Sequence, residues 1–111
     1  MTSAKSTQKT FSERKVSFRV RRKYFDQIVK GEKKEELRSK TPFWVKRLLF
    51  YGPEIAVFLC GKQVHRRRIL KIYVDYPEKV LGRPLSQQGR ADIQTEDCIV
   101  TELGEAIEEA S

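Results

Sequence analysis

Lys33, Glu36 and Arg38 are close enough in the chain, and of the right types, to do chemistry together. They follow Gly31 on a short segment, Glu32–Arg38, whose second half reads as extended. In extended backbone, residues two apart share a face, so Glu36 and Arg38 project together. The carboxylate then holds the guanidinium toward whatever lies above, where its fork can clamp a phosphate or read a base edge. Lys33 adds a point charge. If the site is catalytic, Glu36 is the general base that activates water and Lys33 polarises the electrophile. The competing reading is a solvated strand whose ion pairs are each worth under about 1 kcal/mol.

Arg66-Arg67-Arg68 is the densest basic run. A strand there puts Arg66 and Arg68 on one face and Arg67 on the other. The paired arginines then suit phosphate contacts that position a nucleic acid without reading it, or else they mark a solvated strand end. Tyr24 and Trp44 are candidates for stacking on a base, with a place in the core as the alternative. Arg19, Arg21, Arg22 and Lys23 add to the same field if the strands come together. His65, the single histidine, adjoins the three arginines, which disfavour its protonation, and it is left out of the site. No Ser-His-Asp arrangement or phosphate-cradling glycine loop is present. His65 stands five residues after Cys60 and no second pair exists, so neither Cys60 nor Cys98 has a zinc-type neighbour. No metal and no cofactor is expected, and the two thiols read as small buried hydrophobes in a reducing cytoplasm.

The elements that must position these residues belong to a chain of 111 residues with a net charge of +8. That length suits one domain. We divide it into a flexible basic arm, 1–13, and a single domain, 14–111. Charge is uneven: residues 1–74 carry 20 Lys/Arg against 6 Asp/Glu, and residues 75–111 carry 3 against 9. Such asymmetry points to RNA or a nucleotide as partner, with an acidic protein as a further alternative. The longest apolar runs, Leu48–Tyr51 and Ile55–Cys60, fall far short of the roughly 18 residues of a membrane span. The first residues lack a secretory apolar stretch, so no membrane partner and a cytoplasmic location are expected.

Lys15–Arg21 alternates, with Val16, Phe18 and Val20 facing one way, and predicts a half-buried strand. Tyr24, Phe25, Ile28 and Val29 then recur at helical spacing over Arg22–Lys30, and Gly31 stops that helix. Phe25, Ile28 and Phe58 are assigned to the core. Thr41-Pro42 opens a second helix of about two turns through Leu48, and Gly52-Pro53 ends it. Ile55–Cys60 and Val64–Tyr76 read as a strand pair joined by a hairpin at Gly61-Lys62-Gln63. Pro77–Thr95 reads as an irregular excursion, Asp97–Leu103 as a last strand, and Gly104–Ala110 as an acidic tail with one helical turn. The sum is an α+β, mainly β fold: about five strands with two or three short helices, in a small mixed sheet curled into a β-barrel.

Within this frame, residues 24–38 resemble the signature of the ASCH domain, the activating-signal-cointegrator homology module, whose pattern is Gly-x-Lys-x-x-Glu-x-Arg. Here the pattern falls on Gly31, Lys33, Glu36 and Arg38. Phe43-Trp44-x-x-Arg47-Leu48 is similar to the Tyr-Trp-x-x-Arg-Leu segment of small bacterial and phage members, and Ile99–Gly104 to their closing strand. The likeness covers roughly residues 15–105. It implies a PUA-like barrel with a helix over one mouth, binding RNA or a modified nucleotide in a cleft at the signature segment, with Arg47 in the binding set. It also implies a hydrolase as the alternative, either an N4-acetylcytidine amidohydrolase or a ribonuclease. Glu36 stands where the amidohydrolase type carries its Thr nucleophile, which departs from a Thr-type covalent mechanism.

Overall fold

The computed structural model of the chain describes residues 13–107. In order, the elements are β1 (Lys15–Arg19), α1 (Arg22–Val29), β2 (Glu35–Ser39) and α2 (Pro42–Trp44), which runs on as a π-helical stretch over Val45–Phe50. After these come β3 (Ile55–Cys60), β4 (Gln63–Asp75), α3 (Pro77–Leu81), α4 (Gln87–Asp92) and β5 (Cys98–Ile107).

The alternation in β1 buries Val16 and Phe18 and exposes Lys15, Ser17 and Arg19. In α1 the three-residue spacing of Phe25 and Ile28 buries both. Gly31 takes a left-handed φ of +79°, a conformation that glycine adopts without the Cβ clash of other residues, and turns the chain from α1 into β2. Thr41 caps α2 by accepting a hydrogen bond from the Trp44 amide. Gly61-Lys62 makes the tight hairpin between β3 and β4.

The strands form one sheet in the order β1-β3-β4-β5-β2, with β1–β3 parallel and the other pairs antiparallel. The sheet is mixed and curled, as expected. It is a half-barrel and not a closed barrel: β1 and β2 are both edges and no backbone ladder joins them. Two register shifts in β4, between Arg67 and Ile69 and between Ile69 and Lys71, bend the long strand around the core. Gly104 of β5 lies opposite this bend, where an added Cβ would sit 2.9 Å from Leu70 Cδ2.

One face of the sheet is filled by Val16, Phe18, Ala56, Phe58, Ile99 and Leu103, together with Phe25 and Ile28 of α1 and Leu48 of the π-helical stretch. Full burial of a Phe or Leu side chain is worth about 1.5–3 kcal/mol, so this cluster dominates the stability of so small a domain. Cys98 is fully buried, and burial pushes its thiol up to about 11; Cys60 is only half-buried. No helix among the described residues is long and apolar enough to cross a membrane.

Three sequence expectations are corrected. The excursion Pro77–Thr95 contains two short helices, α3 and α4, delimited by the left-handed Gly82 and by the Ser86 cap, which accepts from the Gly89 amide. Residues 104–107 continue β5 instead of starting a helical turn, because Ala106 and Ile107 pair with Arg67 and Arg66. The helical count is therefore higher than the two or three expected. The arm expected over 1–13 lies outside the described residues apart from Glu13, whose carboxylate reaches Arg68 at 3.5 Å; the end of the acidic tail lies outside them as well.

Candidate functional site

The last turn of α1 places the first site residue. Gln27 O accepts from the amides of both Glu32 and Lys33, at 2.8 and 3.1 Å, which folds the chain back over the helix end. Lys33 then turns its Nζ inward, donates to Glu35 O and lies 3.4 Å from Glu36 Oε1. β2 is held by antiparallel pairing with β5, Glu36 opposite Thr101 and Arg38 opposite Ile99. Glu36 and Arg38 therefore point to the filled side of the sheet, as their even spacing required. Arg38 donates through Nε to Glu36 Oε2 at 2.8 Å. Its guanidinium lies 5.1 Å above the rings of both Phe18 and Trp44, which are stacked on each other at 5.4 Å. Through its other arm it donates to Arg19 O at 3.2 Å, which links the two free edges of the half-barrel.

These groups line a cleft of about 730 Å³. Lys33, Glu36, Arg38, Tyr24 and Trp44 all border it, so five of the predicted site residues converge. Trp44 is half-buried and packs on the core while it also borders the hollow. Glu36 is only 5% exposed. Its Oε1 has no hydrogen-bond partner, and neither has Oγ1 of its cross-strand neighbour Thr101, which is fully buried. Lys33 and Arg38 flank this carboxylate and offset the cost of its burial.

The far wall is the strap Pro77–Thr95, with Leu81, Arg83, Leu85, Ser86 and Asp92 facing the cleft. Arg21 fastens it by a two-pronged contact to Asp92 at 2.7 and 3.2 Å. That bond holds the Asp92 carboxyl below its usual range and raises Arg21 in turn. Ser39 Oγ adds a second tie, donating to Asp92 O and accepting from the Gln94 amide. Arg19 and Arg83, also on the cleft wall, make no side-chain ion pair among the described residues.

The remaining predicted residues are elsewhere. Arg47 stacks 3.6 Å above the Phe43 ring in a separate groove. Arg66 and Arg68 occupy the opposite face of β4 from Arg67 and do not border the cleft; Arg68 pairs with Glu13 and, at 3.9 Å, with Glu105. Arg67, between them, turns inward and donates to Gly104 O at 2.7 Å and to Ile28 O at 2.8 Å, tying the carbonyl end of α1 to the sheet. His65 packs edge-on to Phe25, and burial, then Arg67, lowers its pKa below the usual 6.5. No three metal-ligating side chains gather among the described residues.

The strap residues and Thr101 were not singled out by sequence. Thr101 had one signal, a lone hydroxyl in the apolar run Cys98–Thr101. The strap's signal was its length, too great for a plain connector; nothing local tied it to the site, since Arg21 and Asp92 are 71 residues apart. The chain matches no family model, no curated protein and no solved structure in the comparisons made.

Proposed function

We propose that the cleft holds one nucleotide unit, of RNA or of a free modified nucleotide. The observation that carries this reading is the convergence of Lys33, Glu36 and Arg38 with Tyr24 and Trp44 on one hollow. A volume of about 730 Å³ is within the range of small-ligand sites. A base in the hollow meets donors at Arg38 and Lys33, both held by the Glu36 carboxylate behind them, and aromatic side chains at Tyr24 and Trp44. Arg19 and Arg83 supply charge for the phosphate. Titration calorimetry with ribonucleotides and short RNAs tests the reading. Arg38→Ala is expected to weaken binding about tenfold or more, from the loss of charged hydrogen bonds. Affinity that is unchanged in this variant, or no better than for heparin, rejects it.

A second reading is favoured by one contact. Glu36 Oε1, buried and without a hydrogen bond, lies 3.4 Å from Lys33 Nζ at the cleft wall, an arrangement in which the carboxylate can take a proton from a water that reaches it while the ammonium polarises an amide or phosphodiester. On this reading the protein is a hydrolase of a nucleoside amide such as N4-acetylcytidine, or of RNA. Product formation that disappears in Lys33→Ala and Glu36→Gln, with binding kept in the latter, is the expected result; no product above those controls across pH 5–9 rejects it.

A further inference from the structure

Trp44 has two exposed sides. One borders the cleft; the other borders a second groove of about 530 Å³ between the outer edge of β1 and the π-helical stretch. This groove is lined by Lys15, Lys46 and Arg47, by the aromatic rings of Phe43 and Tyr51, and by no acidic residue. The cleft has four carboxylates among its lining residues and pairs three of its five cations internally; among the described residues the groove's cations make no ion pair. Phe43 is 52% exposed and Tyr51 50%. Arg47 lies flat on the Phe43 ring, and Arg14 stands 5.9 Å over Tyr51 at the groove's end. Exposed rings beside uncompensated cations leave apolar surface in water, which marks a surface that is covered by a partner.

We infer that this groove is a second subsite, for the nucleotides flanking the one in the cleft, and that the ligand is a single-stranded nucleic acid passing over Trp44. The inference rests on the cleft reading and deepens it by choosing a strand over a free nucleotide. The chemistry of the groove fits that occupant in two ways. Cations without acids attract a run of phosphates. Rings between the cations offer faces to unpaired bases without selecting among them; an acidic polypeptide would use the cations and leave the rings unused. β1 is an edge strand, so its outward N–H groups add donors along the same wall.

The test compares each ribonucleoside 5′-monophosphate with the single-stranded RNA tetramer of the same base, at one salt concentration, in the full chain. The best tetramer is expected to bind about tenfold or more tighter than its monomer, since each stacked base contributes about 1–3 kcal/mol. In Lys46→Ser/Arg47→Ser, both exposed positions, the ratio is expected to fall to about one while monomer affinity stays within about twofold. Phe43→Leu keeps an apolar side chain and removes the ring face; it is expected to lower the ratio about fivefold. A wild-type ratio near one, a ratio that survives both variants, or polyglutamate displacing the tetramer as well as RNA does, each overturns the inference. The cleft reading fails separately, by monomer binding that is absent or indifferent to Arg38→Ala, and the continuous path over Trp44 fails with it.

Discussion

Two short basic stretches, Lys33–Arg38 and Arg66–Arg68, look alike in sequence and do opposite things in the fold. In the first, side chains spaced two apart point to the filled side of the sheet at its open edge, where a hollow remains between β2 and the strap. In the second, a denser run of positive charge crosses the middle of the sheet. Arg67 is spent on backbone carbonyls, and Arg68 meets nearby carboxylates. Position in the sheet, not charge density, separates a concave site from a structural clamp and a solvated face. The central strand puts its inward cation beside a neighbouring strand and the covering helix, whose Gly104 and Ile28 carbonyls take it up, whereas the edge strand's inward Arg38 still borders a hollow.

Substitutions can break this contrast, and the largest effect is expected at Arg38. Arg38→Ala strips the nearly buried Glu36 of its fork, so chemical denaturation should report a loss of about 3 kcal/mol alongside the weaker ligand binding. A loss well under 1 kcal/mol would put this pair in the same class as surface ion pairs. Arg67→Ala comes next, with about 2 kcal/mol expected from two hydrogen bonds to carbonyls, measured in the same way. Nucleotide affinity should not change; if it does, the division between site and clamp is wrong. His65, on the clamp side, predicts a pH effect of known sign. Its folded pKa lies below the unfolded 6.5, so the unfolded chain binds more protons, and stability is lost as pH falls below 6.5. Thermal unfolding between pH 7.5 and 5 should show this loss, and His65→Phe should remove it. The smallest effect belongs to Arg68→Ala, whose side chain is nearly half exposed: about 0.5 kcal/mol or less.

The contrast also explains what the sequence made legible. Period-two runs located β1 and β4, the continuous apolar run Ile55–Cys60 located β3, and the switch to helical spacing at Tyr24 with the stop at Gly31 located α1, because these signals are local. Even spacing was enough to put Glu36 and Arg38 on one face, and to separate Arg67 from Arg66 and Arg68. It was not enough to say which face carried a hollow, since that depends on β2 being an edge and on the order of five strands. The strap was read as irregular because α3 and α4 are five and six residues long, too short to show a period. Its role rests on Arg21 meeting Asp92 from the other end of the chain. The curl of the sheet was legible; its failure to close was not, because β1 pairs in parallel with β3 and leaves β2 without a partner on that side.

Where a closed barrel would have a ladder, one guanidinium spans the seam from β2 to Arg19 O. Beside it, Asp92 of the strap accepts from both Arg21, just past β1, and Ser39 of β2, so side chains hold the seam and no strand pairing does. The stiffness of that rim is therefore set by a few charged contacts, and the Arg38 side chain that borders the cleft is also a stitch between the two edge strands.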